Sequence, residues 1–182
     1  SVKEDAYFMT GTQSNYIPYS MYDKESSDFA FRADVKKVSG DNEGYVYGYG
    51  FFLRGDGTWR NNYEFNVVKD GRYMIGKSID GAFTKLVDWT FSDALRSDPG
   101  AWNTLKAVGK KDKLDFYANG TFLASIEDSS HPAGKCGFFA VDAASSAEPD
   151  IVQFDNMILV TEENHCIPLG ADVSLSVACA EY

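Results

Sequence analysis

The chain has 182 residues, of which 44% are hydrophobic and 15% aromatic, and its formal net charge at pH 7 is −10. This length and apolar content favour one domain with a single core. The negative charge disfavours nucleic acid and anionic membranes as partners, and no apolar run approaches the ~20 residues of a membrane-spanning helix. We therefore expect no nucleic-acid partner and no membrane insertion.

Most of the chain alternates between apolar and polar residues, as half-buried strands do. In residues 28–38, for example, Phe29 and Phe31 point one way and Arg32 the other. Asn119-Gly120 is a strong signal for a hairpin turn. Strands are predicted over residues 28–38, 45–54, 62–68, 72–78, 83–89, 102–109, 113–118, 121–128, 134–141 and 150–160.

Only one segment breaks this rhythm. Ser92 is a suitable cap for a short helix over residues 92–97, which Pro99-Gly100 would end. No predicted helix is long enough to connect parallel strands. The sequence therefore predicts an all-β fold, an antiparallel sandwich of about nine to eleven strands.

The domain is expected to cover residues 1–160, followed by an appendage, residues 161–182, that adds an edge strand. The start of a neighbouring domain is the alternative for this segment. A disulfide between Cys166 and Cys179 and two free thiols remain equal alternatives. Cys136 lies in an apolar run and is predicted to be a buried, inert thiol.

The tripeptide Arg54-Gly55-Asp56 also occurs in ligands of cell-surface receptors. Here it lies between two predicted strands, with a second glycine at Gly57. Glycines at such positions favour tight connections. A turn is therefore preferred to a receptor-binding loop.

The order of several segments resembles the concanavalin A-like lectin/glucanase superfamily, with laminin G-like and sugar-hydrolase-related bacterial domains nearest. This resemblance implies a two-sheet jelly-roll sandwich, carbohydrate as partner, an extracellular or cell-surface location and a calcium ion near the sheet edge. The segments that carry it are GYGFFLRGDG, YEFNVVKDGRYMIGK, LVDWTFSDAL, WNTLKAVGKKDKLDFYANGTFLASIED, GKCGFFAV and VQFDNMIL.

Catalytic residue sets are poorly represented. Retaining glycosidases need two carboxylates about 5–5.5 Å apart, and the nearest strand motif, Glu148 to Gln153, ends in an amide. There is no Gly-x-Ser-x-Gly elbow for a nucleophilic serine. A non-catalytic domain is therefore preferred to an enzyme.

Aromatic residues interleaved with polar ones suit sugar binding, and the hairpin with Arg54, Trp59 and Tyr63 has this composition. Trp59 is the best candidate because polar loop residues surround it. Packing in the core is the alternative for Tyr63, whose hydroxyl would need one partner. The candidate ligand-binding residues are Arg32, Arg54, Trp59, Tyr63, Glu64 and Asn66.

Calcium requires about six to eight oxygen ligands. The resemblance implies that they join the N-terminal segment to the last strand. Asp23, Asp28 and Asp155 are the candidates, with Asp56 as another option and backbone hydrogen bonding as the alternative role of Asp155.

These observations favour a carbohydrate-binding module. The alternatives are a glycoside hydrolase-like enzyme with an unusual carboxylate pair and a laminin G-like protein-interaction module.

Overall fold

The computed structural model of the chain describes residues 2–3, 6–10, 17–40, 48–141, 151–161 and 166–168. These residues form strands, turns and loops, and none of their segments is a helix that could cross a membrane. The strands are β1 (Val2–Lys3), β2 (Ala6–Thr10), β3 (Tyr19–Ser26), β4 (Phe29–Ser39), β5 (Tyr49–Gly55), β6 (Asn62–Val67), β7 (Arg72–Ile79), β8 (Ala82–Phe91), β9 (Asn103–Lys110), β10 (Lys113–Ala118), β11 (Thr121–Glu127), β12 (Gly134–Ala140), β13 (Ile151–Thr161) and β14 (Cys166–Pro168).

The strands form two antiparallel sheets. The eight-stranded sheet has the order β1-β2-β13-β4-β9-β10-β11, with β14 also pairing with β13. The six-stranded sheet has the order β3-β12-β5-β6-β7-β8. The two sheets form a jelly-roll sandwich of the concanavalin A-like superfamily, so the predicted fold class is confirmed.

All ten predicted strands are present as β4 to β13, with boundaries shifted by a few residues. Period-two alternation explains much of this agreement, because every second residue is buried along β9 and β10 and the first half of β4. The edge strands β8 and β11 have no fully buried residue. Strands β1, β2 and β3 lie before the region in which strands were predicted.

The core lies between the sheets and is rich in aromatic rings. Among the described residues, four ring pairs connect one sheet to the other, with centroid separations of 4.6 Å for Phe31 and Phe51 and 4.7 Å for Phe138 and Phe154. In the other two pairs, Tyr7 is 4.8 Å from Phe138 and Phe65 is 5.2 Å from Phe116. Each such contact stabilises the packing by about 0.5–1.5 kcal/mol beyond area burial, so the aromatic content predicted for a sheet protein serves to join the two layers.

The short helix predicted over residues 92–97 is wrong. Ser92 instead begins one turn, in which its carbonyl accepts the Leu95 N–H at 3.0 Å. The side chain of Asn103 then binds both backbone groups of Arg96, accepting its N–H at 2.8 Å and donating to its carbonyl at 3.0 Å. Because the Asn103 side chain satisfies the N–H and the carbonyl of Arg96, these groups need no helical hydrogen bonds, and the segment forms a turn followed by a loop.

The C-terminal appendage contributes β14, which pairs with residues 158–160 of β13. Apart from Thr161 at the end of β13, the other residues of the appendage lie outside the described part of the chain. Cys179 is among them, so a Cys166–Cys179 disulfide and two free thiols stay equal alternatives.

Candidate functional site

The outer face of the six-stranded sheet, the side turned away from the core, carries a row of polar side chains on β6. Tyr63 and Phe65 point into the core, so Asn62, Glu64 and Asn66 point outward. We call these three residues the polar row. A polar row in the middle of a sheet needs hydrogen-bonding partners, and this requirement makes it a candidate site.

Glu64 is the central member of the row and is only partly exposed. The Ser78 hydroxyl donates to its carboxylate at 3.3 Å. Burial raises the pKa of Glu64 to about 7, and the Ser78 hydrogen bond offsets only part of that effect. The carboxyl group can therefore both accept and release a proton near neutral pH.

Aromatic rings lie on both sides of the strand that carries Glu64. Phe52 is its partner on β5, and the Phe52 ring stacks on Phe139 with centroids 4.4 Å apart. On β7 its partner is Gly76, and the Phe83 ring from β8 lies over this glycine. The end of that ring is 2.3 Å from the position that a Cβ of Gly76 would occupy. Phe83 is 45% exposed, so aromatic surface is accessible on the strand next but one to that of Glu64.

The two asparagines of the polar row are buried, and one polar atom of each is unsatisfied. The side-chain oxygens of Asn62 and Asn66 have no hydrogen-bond partner in the described part of the chain. Asn62 uses its amide to donate to the Trp59 carbonyl at 2.8 Å. Buried acceptors without partners cost stability, and because both oxygens are covered, these side chains lie beneath the accessible surface of this face.

The loop between β5 and β6 places Trp59 at one end of the row. Asp56 accepts hydrogen bonds from the Thr58 N–H at 2.8 Å and the Asn61 amide at 2.9 Å, which folds the loop on itself. Trp59 is 42% exposed and lies against the β7–β8 turn at Gly81. The predicted exposure of Trp59 is thus confirmed, and Asp56 acts in loop structure.

Arg54 and Tyr63, predicted as ligand-binding residues, are buried. Arg54 is 1% exposed, and its guanidinium donates to the carbonyls of Ser27, Lys111 and His131. The Tyr63 hydroxyl contacts Asp128 at 2.7 Å and accepts the His131 N–H at 3.2 Å. Both side chains are therefore structural in this fold, and the buried arginine supports the turn interpretation of the Arg-Gly-Asp tripeptide.

Arg32 lies on the other sheet. Its guanidinium is 3.5 Å from the Asp34 carboxylate on the outer face of the eight-stranded sheet. We call the outer face of the six-stranded sheet, which carries the polar row, the Glu64 face. A single ligand on the Glu64 face cannot also contact Arg32, because the core lies between the two. Of the six predicted residues, Trp59, Glu64 and Asn66 share one face with Phe83, which the prediction missed.

The three candidate calcium ligands do not converge. Asp23 pairs with Lys135 at 2.6 Å on the six-stranded sheet, and Asp28 accepts the Lys111 N–H at 2.8 Å. Asp155 lies opposite Asp34 in the other sheet and accepts the Asn156 N–H at 2.7 Å. Among the described residues no three acidic, histidine or cysteine side chains gather as a metal site would require.

Cys136 is buried, as predicted, and burial raises the pKa of its thiol to about 12. A thiolate is the reactive form, so this cysteine is unsuited to nucleophilic catalysis. His131 is also engaged, with its ring Nε2 2.9 Å from the Ser78 carbonyl.

A family model described as "3-keto-alpha-glucoside-1,2-lyase-like domain" matches residues 2–159 of the chain. The search of curated proteins finds no match.

Solved structures with the same fold include binding proteins and enzymes. The carbohydrate binding module CBM66 from Bacillus subtilis is 19% identical, with a TM-score of 0.67, and the match covers 86% of this chain and 96% of that one. Sheep galectin-11 is 13% identical, with a TM-score of 0.53 and coverage of 82% and 100%. The GH43 protein BlXynB from Bacillus licheniformis is 15% identical, with a TM-score of 0.58 and coverage of 82% and 32%. At these identities the likeness establishes the fold alone.

Proposed function

The chain belongs to the family of 3-keto-alpha-glucoside-1,2-lyase-like domains, and from this premise we propose that the outer face of its six-stranded sheet binds carbohydrate. The proposed site consists of Glu64, the exposed rings of Phe83 and Trp59, and the buried amides of Asn62 and Asn66. The buried amides shape the site from below, and Glu64 and the two rings meet the sugar.

The observation that carries this proposal is the Phe83 ring beside the Glu64 carboxyl group. Residues paired across neighbouring strands have Cβ positions about 4.5–5.5 Å apart, and the Phe83 ring fills the Cβ position of Gly76, the partner of Glu64. A sugar ring has an apolar C–H face and polar hydroxyls at its rim. An accessible aromatic ring near a carboxyl group complements both features at once.

The similar structures support the proposal at the level of the fold. CBM66 is a carbohydrate binding module, and its match covers nearly all of both chains. The family description names a glucoside. A glucoside-containing or other neutral glycan is therefore the ligand class to screen first.

The test is a glycan array followed by calorimetric titration of the best glycan with the wild type and with Phe83→Ala. We expect the variant to bind about tenfold more weakly or worse, which corresponds to 1.4 kcal/mol. Trp59→Ala is expected to weaken binding less, because Trp59 lies at the end of the row.

Phe122→Ala is the matched control. Phe122 is also an exposed phenylalanine, 54% accessible, but it lies on β11 of the other sheet. Equal losses in Phe83→Ala and Phe122→Ala, or no binding to any glycan, would contradict the proposal.

A second function, lyase activity, is favoured by the family and by one further observation. A general base works best with a pKa near the working pH, and burial raises the pKa of Glu64 to about 7. In a 1,2-elimination from a 3-keto glucoside, the carboxylate of Glu64 would take the proton from C2, which the neighbouring ketone acidifies. The electron pair would form the C1=C2 double bond as the C1–O bond breaks, and the departing oxygen would take a proton from water.

The two functions give different results with Glu64→Gln and a 3-keto-α-glucoside. A lyase releases the aglycone and forms an unsaturated product, and Glu64→Gln abolishes this turnover while sugar still binds. A binding domain shows no turnover in the wild type. Product formation that continues in Glu64→Gln would rule out Glu64 as the base.

A further inference from the structure

A second recess, which we call the end pocket, lies at the end of the sandwich away from Trp59. It is a cavity of about 520 Å³ bounded by the end of β4, the start of β5, the β6–β7 turn and the 96–101 loop. Small-molecule sites typically enclose about 300–1,000 Å³. Strand β5 runs from Tyr49 at this pocket to Gly55 at the Trp59 loop, so the two sites occupy opposite ends of the same strand.

The wall of the end pocket is held in place by side chains. Asn103 binds both backbone groups of Arg96, and Asn119 donates to the Ala94 carbonyl at 2.7 Å and to the Asn103 side-chain oxygen at 2.8 Å. Leu95 is buried between these contacts and the core. These contacts fix the conformation of the 96–101 loop in the ligand-free protein, which lowers the conformational-entropy cost of ligand binding.

The lining combines positive charge with hydroxyl groups. Lys37, Lys69 and Arg96 line the pocket with Asp70 and Asp98, and Asp70 already forms an ion pair with Arg72. Lys69 and Arg96 have no carboxylate partner within the described ranges. The lining therefore carries three basic and two acidic side chains, in a chain with a formal charge of −10.

Tyr49, at the start of β5, is one of the residues that line the pocket. Its ring is buried in the core, and its hydroxyl makes no hydrogen bond to another described residue. Burial raises the pKa of Tyr49 to about 12, so the hydroxyl stays protonated and can donate. Ser39 and Ser97 add two further hydroxyl groups to the lining.

We propose that the end pocket binds a sugar residue that carries a carboxylate, a uronic acid, separately from the Glu64 face. The guanidinium of Arg96 and the ammonium of Lys69 suit the carboxylate, because charge-assisted hydrogen bonds to a carboxylate are stronger than neutral ones. The hydroxyls of Tyr49 and Ser97 suit the ring hydroxyls. A neutral sugar would use only the second set of contacts.

The test is titration of the intact chain carrying Phe83→Ala, which weakens the Glu64 face, with glucuronate, with glucose as the neutral match and acetate as a carboxylate without a sugar ring. The variants below are made in this background. We expect glucuronate to bind at least tenfold more tightly than either, and added salt to weaken it. Lys69→Gln and Arg96→Gln are each expected to weaken glucuronate binding about tenfold. Arg60→Gln, an exposed arginine at the opposite end, is expected to leave it unchanged.

Glu64→Gln separates the two sites. If it leaves glucuronate affinity unchanged, the end pocket stands whether or not the Glu64 face binds glycans. Absence of glucuronate binding, equal binding of glucose or of acetate, a loss in Arg60→Gln as large as in Arg96→Gln, or a loss in Glu64→Gln would each overturn the proposal.

Discussion

The guanidinium of Arg54 closes the end of the sandwich below the β5–β6 loop. It donates to carbonyls from three different connections, at Ser27, Lys111 and His131. Removing a buried donor leaves its acceptors unsatisfied at about 1–3 kcal/mol each, without full additivity. We predict that Arg54→Ala lowers the free energy of unfolding by about 3 kcal/mol, as measured by urea denaturation.

Arg60→Ala is the comparison for this loss. Arg60 is exposed and donates to the Asp80 carbonyl at 2.6 Å, so its removal is expected to cost within about 0.5 kcal/mol. If both variants unfold at the same urea concentration, Arg54 does not hold the end of the sandwich together.

Glu64 is a single residue that makes the free energy of unfolding depend on pH. Its pKa is about 7 when folded, against 4.5 ordinarily, so the folded state binds more protons than the unfolded state between these values. Stability therefore falls as pH rises from about 4.5 to 7. We predict that Glu64→Gln is more stable than the wild type at pH 8, by on the order of 2 kcal/mol, and equal to it at pH 4.

Thermal unfolding at pH 4, 6 and 8 measures this effect, with Glu127→Gln as an exposed control. A difference between Glu64→Gln and the wild type that stays constant over this range would show that Glu64 is not the group responsible.

At the scale of elements, the pairing of β6, β7 and β8 places the Phe83 ring over Gly76, the partner of Glu64; we call this ring the Phe83 platform. A methyl group at Gly76 would meet the end of the Phe83 ring at 2.3 Å, and a ring end can swing away at little cost. We predict that Gly76→Ala costs under about 1.5 kcal/mol in stability but weakens glycan binding as much as Phe83→Ala does. In a Phe83→Ala background, Gly76→Ala is then expected to have no further effect on affinity, and an additional loss there would count against the platform.

Asp128 ties the loop after β11 to strands β6 and β7. Burial alone would raise its pKa, but hydrogen bonds from Lys77, Ser130 and Tyr63 hold the pKa well below its usual value. Such a group contributes stability above its unfolded pKa of about 3.8, and this contribution is lost as pH falls further. We predict that Asp128→Asn loses about 1–2 kcal/mol at pH 7 and that the difference shrinks below pH 4.

A double-mutant cycle with Lys77→Met checks the Asp128 contact directly. The Lys77 ammonium and the Asp128 carboxylate are 2.5 Å apart, so the two substitutions are expected to be non-additive. Additive losses would mean that the ion pair does not stabilise this junction.

The strands were predictable because alternating apolar residues indicate which side of a strand is buried. Tyr63 is two residues from Phe65 and therefore shares its buried face. The same pattern fails at the end of β5. Arg54 has a φ of +52°, so its side chain leaves the alternation and turns into the sandwich. Phe83 was missed for another reason, since its position over Gly76 depends on the register of β7 and β8, which no single strand encodes.

At the scale of the whole molecule, distant parts of the chain close the same sheets. Strand β13 pairs with β2, β4 and β14, and β12 lies between β3 and β5. Such non-local pairing makes folding slow, typically on the millisecond-to-second scale. It also means that neither sheet is complete until the second half of the chain is in place.

One core cluster includes buried residues from both sheets, so the two described sheets share the packing that stabilises them. We predict a single cooperative unfolding transition. The test is urea unfolding followed by circular dichroism and by tryptophan fluorescence in Trp59→Phe and Trp102→Phe, because Trp59 reports on the β5–β6 loop and Trp102 on the start of β9. Within each variant the two signals are expected to give the same midpoint. A fluorescence transition that precedes the circular dichroism change in the Trp102→Phe variant alone would mean that the Trp59 end, and with it the proposed glycan face, unfolds independently of the sandwich.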